Sequence, residues 1–221
     1  MKVKRSYEQY CPAAKALDLV GERWTLLVVR ELLLGPRRYG DLIEALPGIG
    51  TNLLAERLRR LEDAGFVQRR RLDPPAGSTV YQLTERGAGL EDVVLALARV
   101  GMGALGQPRR EETFRPEWLT LTLRANLDPD AAHGVRETYE LRVDGQPVHV
   151  RVDRGRVEAR SGPAAEPDLV LEAKAPALAR LGRGELEPEE ALTSGALRVS
   201  GDPGALLRFL RVFRLGRTAA A

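Results

Sequence analysis

The chain has 221 residues, 43% hydrophobic and 29% charged, with a formal net charge of +3 and one cysteine, Cys11. This is a globular profile with enough apolar residues for one large core or two small ones. It excludes a disordered chain and an internal disulfide framework, and no apolar run approaches the ~18 residues that a membrane crossing needs.

Cys11-Pro12 opens a short helix through Val20, with Pro12 suited to a first turn and Gly21 as its stop. A second helix is predicted over 23–34, ended by Gly35-Pro36. Tyr39, Leu42, Ile43 and Leu46 mark a third, short helix, and Pro47-Gly48-Ile49-Gly50 makes a turn. A fourth helix follows over 51–64, with Leu54, Leu58 and Leu61 on one face and Gly65 at its end. The period then changes: 66–72 and 79–83 read as two strands joined by a turn-rich loop over 73–78. Thr84 caps a last helix predicted over 85–100. Helix, short helix, turn, helix, hairpin is the winged helix-turn-helix plan, in which one helix enters the major groove of double-stranded DNA.

Charge placement agrees with that plan. Residues 1–110 carry 18 Lys and Arg against 13 Asp and Glu, whereas residues 111–221 carry 16 against 18. On the helix over 51–64, at about 100° per residue, Asn52, Glu56, Arg59 and Asp63 fall opposite the leucines. Asn52 can pair bidentately with adenine and Arg59 with guanine, and Thr51 can cap the helix or reach a phosphate. Glu56 either accepts from cytosine or pairs with Arg60. Phosphate contacts are expected from Arg37, Arg38, Arg57 and Arg60, and from Arg69, Arg70 and Arg71 along the first wing strand. Strand alternation sends Arg69 and Arg71 to one face and Arg70 to the other.

Cys11–Gly35, Arg38-Tyr-Gly-Asp-Leu42, Pro47-Gly-Ile49, Leu53–Gly65 and Tyr81-Gln-Leu-Thr-Glu-Arg-Gly87 together resemble HxlR-type bacterial regulators, over roughly residues 7–105. The resemblance implies a winged-helix homodimer on a pseudo-palindromic operator, usually controlling nearby genes and here expected to repress them. It also implies that the N-terminal helix and the helix over about 90–105 pair across the two-fold axis. Gly50-Thr51-Asn52 departs from the family, which more often has Ser and larger polar residues there, and this bears on base preference. Several members sense oxidants through a cysteine aligned with Cys11. Cys11 lies at a helix start with Lys15 one turn on, so it is a candidate redox sensor; the alternative is a half-buried cysteine that packs the dimer helix.

Gly101, Gly103, Gly106 and Pro108 break the pattern, which places a boundary near 104–114 and two domains over 1–106 and 112–217. In the second half, 118–124 alternates and reads as a helix start or a strand. Strands are predicted over 137–143, 146–152, 156–160, 169–173 and 197–200, with helices over 176–181, 188–193 and 203–213. Asp144-Gly145 and Asp153-Arg-Gly155 favour antiparallel hairpins. The fold class is therefore α+β. Pro167–Leu171, Gly184–Ala191 and Gly195–Asp202 resemble the sterol-carrier-protein fold, an antiparallel sheet with helices over an apolar tunnel. That resemblance implies a hydrophobic ligand, with Leu141, Val150, Val170, Leu178, Leu181, Leu206 and Phe209 as candidate tunnel residues; the same residues would equally fill an ordinary core.

Enzyme chemistry finds little footing. His133 and His149 stand apart, no Cys or His lies at metal-ligand spacing, no Gly-rich phosphate loop appears, and no cofactor is implied. Glu185, Glu187, Glu189 and Glu190 fall around a helix start and read as solvated. The opening residues lack the apolar core of a signal peptide, so a cytoplasmic protein without membrane insertion is expected. The leading expectation is a DNA-binding regulator, not an enzyme, whose second domain senses a hydrophobic small-molecule effector. The alternative makes that domain a scaffold or a hydrophobic-ligand carrier with no regulatory coupling.

Overall fold

The computed structural model describes residues 6–73, 77–109 and 111–215. By internal contacts the chain forms two compact units, Met1–Val94 and Leu95–Ala221. The expected boundary at 104–114 lies further along the chain.

The first unit begins with α1 (Pro12–Val20), α2 (Thr25–Leu33), α3 (Tyr39–Ala45) and α4 (Thr51–Asp63). Each turns its apolar stripe inward. Val28, Val29 and Leu32 of α2, Leu42 and Ala45 of α3, and Leu54, Leu58 and Leu61 of α4 are all buried. Burying one such leucine contributes about 1.5–3 kcal/mol. The turn before α4 needs Gly48, whose φ of +91° a side chain would resist.

β1 (Val67–Arg71) and β2 (Thr79–Leu83) form the antiparallel wing, with Arg69 opposite Tyr81. Pro74, Pro75 and Ala76 of the predicted hairpin loop lie outside the described residues. A backbone bridge between Arg37 and Tyr81 ties the wing to the segment before α3.

The helix expected over 85–100 is two helices, α5 (Glu85–Ala88) and α6 (Glu91–Ala104). Gly87 lies so close to the Phe66 carbonyl that a β-carbon there would clash with it, and Leu90 N–H bonds back three residues to Gly87 O. That local tightening ends α5. Thr84 caps it, accepting from Gly87 N–H at 3.1 Å.

The second unit contains α7 (Trp118–Ala125), α8 (Pro129–Ala132), β3 (Arg136–Val143), β4 (Gln146–Asp153), β5 (Arg156–Ser161), β6 (Leu169–Ala173), α9 (Ala175–Gly182), α10 (Pro188–Thr193), β7 (Leu197–Gly201) and α11 (Pro203–Val212). The five strands order as β5-β4-β3-β6-β7. Three pairings are antiparallel, and β3 with β6 is parallel. Residues 118–124 are a helix: Thr120 and Thr122 bond their hydroxyls to the carbonyls of Glu117 and Trp118, which accommodates the strand-like Leu/Thr alternation.

Alternation along β3 and β4 sends Tyr139, Leu141, Val143, Val148, Val150 and Val152 into one core. Tyr139, Phe209 and Phe213 pack there with ring centroids 5.0–6.2 Å apart. The Tyr139 hydroxyl donates to Glu137 at 2.5 Å, and Glu137 accepts from Arg208 at 2.5 Å. Burial and this carboxylate push the Tyr139 phenol far above its ordinary range. His149, as expected of a strand residue between two valines, lies on the opposite face of the sheet from Val148 and Val150, half-buried, with Nδ1 at 3.0 Å from Gly162 O.

Candidate nucleic-acid interface

The outward surface of α4 follows from its leucine stripe. With Leu54, Leu58 and Leu61 inside, Thr51, Asn52, Ala55, Arg59 and Asp63 are exposed. The Tyr39 hydroxyl donates to Thr51 O at 2.6 Å, which ties the first turn of α4 to α3.

Arg57 is a correction to the expected phosphate contacts, because only 6% of it is exposed. Residues 54, 57, 58 and 61 share one helix face, so its side chain is carried inward. It donates through Nε to Arg23 O at 3.1 Å and through Nη2 to Glu22 at 2.9 Å. Arg60 donates to the same Glu22 at 3.2 Å and pairs with Glu56 at 2.9 Å. Glu22, between α1 and α2, therefore occupies both arginines; its role was hidden in the sequence because nothing there brings it to α4.

The other arginines divide in two. Arg69 makes a two-pronged pair with Glu62, at 2.8 and 2.9 Å, and its guanidinium lies 5.3 Å from the Tyr81 ring centroid. That hydrogen bond holds its pKa above the ordinary value, so its guanidinium is already engaged by Glu62. Arg70 and Arg71 are exposed and make no ion pair among the described residues, and the same holds for Arg38 and Arg59. The expected split of the wing arginines between two faces does not hide any of them, since β1 beyond Val67 is exposed along its length. Arg37 is half-buried, with its Nε unbonded and its backbone paired to Tyr81.

Cys11 is exposed at the start of α1. Lys15, the cation expected beside it, lies 3.9 Å from Asp18. In the second unit, Val150, Leu181, Leu206 and Phe209 fill the core instead of lining a tunnel, because the helices close directly onto the sheet. Val170 alternates onto the other face of β6. Leu141 and Leu178 do meet, at an apolar cleft of about 640 Å³. Among the described residues no group of three His, Cys, Asp or Glu side chains is placed to hold a metal, and no helix is long and apolar enough to cross a membrane.

A helix held outward before an arginine-bearing wing defines the class: a winged helix-turn-helix DNA-binding transcriptional regulator. The model of the HxlR-like helix-turn-helix family matches residues 19–108, and that of the SCP-2 sterol transfer family matches 119–214. An uncharacterized HTH-type transcriptional regulator of Synechocystis is 39% identical over 97 residues, covering 44% of this chain and 72% of the relative. The HTH-type transcriptional regulator YodB of Bacillus subtilis is 38% identical over 84 residues, covering 38% of this chain and 75% of its own. The solved reduced form of YodB aligns with 46% of this chain and all of its own, at 31% identity and a TM-score of 0.39. The chain belongs to the HxlR-like helix-turn-helix family, and its second half matches the SCP-2 sterol transfer family.

Proposed function

We propose that this regulator binds a pseudo-palindromic operator as a homodimer, reading bases with the outward face of α4. The observation that carries the reading is that Asn52 and Arg59 are exposed on one side of a helix whose other side is locked by leucines. Asn52 suits adenine and Arg59 suits guanine, with Thr51 at the helix start. Arg38, Arg70 and Arg71 supply the phosphate contacts, with Arg37, Arg60 and Arg69 contributing less because they are partly enclosed or paired. Dimerisation uses α1 and α6, whose exposed apolar side chains include Leu17 and Leu19, and Val93, Leu97 and Val100. A dimer seated across a promoter excludes other proteins, so repression is the expected sense.

The proposed domain organisation is DNA binding and dimerisation over 1–106 and ligand binding over 112–217. The second domain binds a hydrophobic effector whose occupancy biases DNA affinity, which requires different effector affinities in the two states. Cys11, exposed at a helix start, is where an electrophile would act on this chain. The protein works in the cytoplasm and binds rather than catalyses. Selection of bound duplexes from a random-sequence pool tests the reading. It predicts an enriched inverted repeat with half-sites about one helical turn, or a multiple, apart. Retention of duplexes without any enriched sequence would refute base reading by α4.

A further inference from the structure

α4 carries three arginines, Arg57, Arg59 and Arg60. Three free cations on a helix laid against a polyanion would hold DNA of any sequence, because phosphate contacts carry no base information. Two of the three are instead tied into a charge network. Glu22, in the turn between α1 and α2, accepts from Arg57 Nη2 at 2.9 Å with one carboxylate oxygen and from Arg60 Nη1 at 3.2 Å with the other. Glu56, one helical turn before Arg60, lies 2.9 Å from Arg60 Nη2 and 3.6 Å from Arg57 Nη1. Two carboxylates thus face two guanidiniums, and Arg59 is the arginine of α4 left without an ion pair among the described residues.

The two paired arginines differ in what holds them. Arg57 is buried and also donates to Arg23 O, so it belongs to the packing of the first unit. The Arg60 side chain is 24% exposed, and it follows Arg59 by about 100° around the helix, on the flank of the outward surface. Its long stem can swing from Glu22 to a phosphate beside that surface. Magnitudes decide which partner keeps it. The pair with Glu56 alone, an i,i+4 contact on a helix face, shifts such an equilibrium by roughly twofold. A phosphate contact that releases about 0.9 of a counterion is worth roughly fivefold at about 0.15 M salt. Glu56 alone would therefore lose Arg60 to the DNA. Glu22 supplies the difference: buried Arg57 already fixes its carboxylate, so the second oxygen meets Arg60 with little further ordering.

We infer that Glu22 sets the sequence-independent part of DNA binding: it withholds Arg60 from the phosphate backbone, so that α4 meets the duplex with Arg59 as its unpaired arginine. Glu22 acts through Arg60, which makes it a positioning residue and not a DNA contact. The inference rests on the reading of α4 as the DNA-facing helix and names what limits that helix's hold on DNA of any sequence.

The test compares the full chain with its Glu22→Gln variant on a duplex of non-operator sequence across a salt series. Glutamine keeps an acceptor oxygen for Arg57 and removes the charge. Affinity should rise roughly fivefold per subunit at about 0.15 M salt, and the salt slope should steepen by about one per subunit. Discrimination among single-base operator variants should not change, because the new contact is to phosphate. Adding Arg60→Met to Glu22→Gln should abolish both gains. If Glu22→Gln alone does not fold, the same comparison is made in an Arg57→Met background, where no buried guanidinium depends on residue 22. Folded Glu22→Gln protein with wild-type affinity and slope would overturn the inference. So would a gain that survives Arg60→Met, since relief of the carboxylate's own repulsion of DNA would then account for it. Arg59→Ala keeps the two readings apart. Lost base discrimination there, with no gain in Glu22→Gln, refutes only the role of Glu22; neither effect would refute the reading of α4 itself.

Discussion

Replacing Arg57 by methionine separates a structural arginine from a DNA contact. Methionine keeps most of the apolar stem and removes the guanidinium. Two hydrogen bonds go, to Arg23 O at 3.1 Å and to Glu22 at 2.9 Å. Bonds from a charged donor contribute about 1.5–3 kcal/mol each. Glu22 is 41% exposed, so its share is discounted for solvent screening. The net cost is then about 2 kcal/mol, most of it from the Arg23 carbonyl left without this donor. In a unit of this size that lowers the melting temperature by about 8–16 °C. Trp24 fluorescence in a Trp118→Phe background follows the first unit alone, since the chain has two tryptophans. Operator affinity at 25 °C and its salt dependence should stay close to wild type. An unchanged melting temperature with a salt slope reduced by about one would mean that Arg57 meets phosphate and that the buried position is wrong.

Arg59→Ala should cost about 1–3 kcal/mol at one symmetric operator position and leave the melting temperature unchanged, as read by competition with single-base operator variants. Arg70→Ala should weaken binding to all sequences alike and lower the salt slope by about one, whereas Arg69→Ala should do less because Glu62 already occupies its guanidinium. Gly87→Ala should destabilise the first unit strongly, since its β-carbon meets the Phe66 carbonyl; a melting curve like wild type would refute that packing. Asp128 and Asp202 are held below the ordinary carboxylate range, first by N–H groups of the helix starts they cap, Ala131 and Gly204. Their contribution is therefore complete above the unfolded-state pKa and is lost as pH falls below about 4, so Asp202→Asn should flatten the acid limb of stability against pH.

Much of this architecture is written in local signals. The leucine stripe of α4, the glycine-rich turn before it and the capping threonine at 84 place the helix-turn-helix and wing within a few residues. Asp144-Gly145 likewise marks the β3–β4 turn, where both residues take positive φ. What was missed depends on distant partners or on short elements. Arg57 looks like any surface arginine until Glu22 and Arg23 O, about 35 positions away, are brought to it. The break between α5 and α6 lies where Leu90 N–H bonds back three residues to Gly87 O, beside glycines 87 and 89. α8 carried a readable cap, Asp128-Pro129, in front of only four helical residues. The parallel β3–β6 pair is a matter of topology, which alternation does not report. The apolar positions of the second unit gave no way to tell core from cleft: Leu178 lines the cleft and the core residue Leu141 reaches its wall, whereas Leu181 and Phe209 lie in the core alone.

The sharpest test joins a single protein atom group to a single base atom. Each operator guanine is replaced in turn by 7-deazaguanine, which lacks the N7 acceptor, and affinity is measured for wild type and for Arg59→Ala. At one symmetric guanine per half-site the replacement should weaken wild type by about tenfold or more and leave Arg59→Ala indifferent. Equal losses in both proteins, or none at any guanine, would contradict base reading through Arg59 of α4.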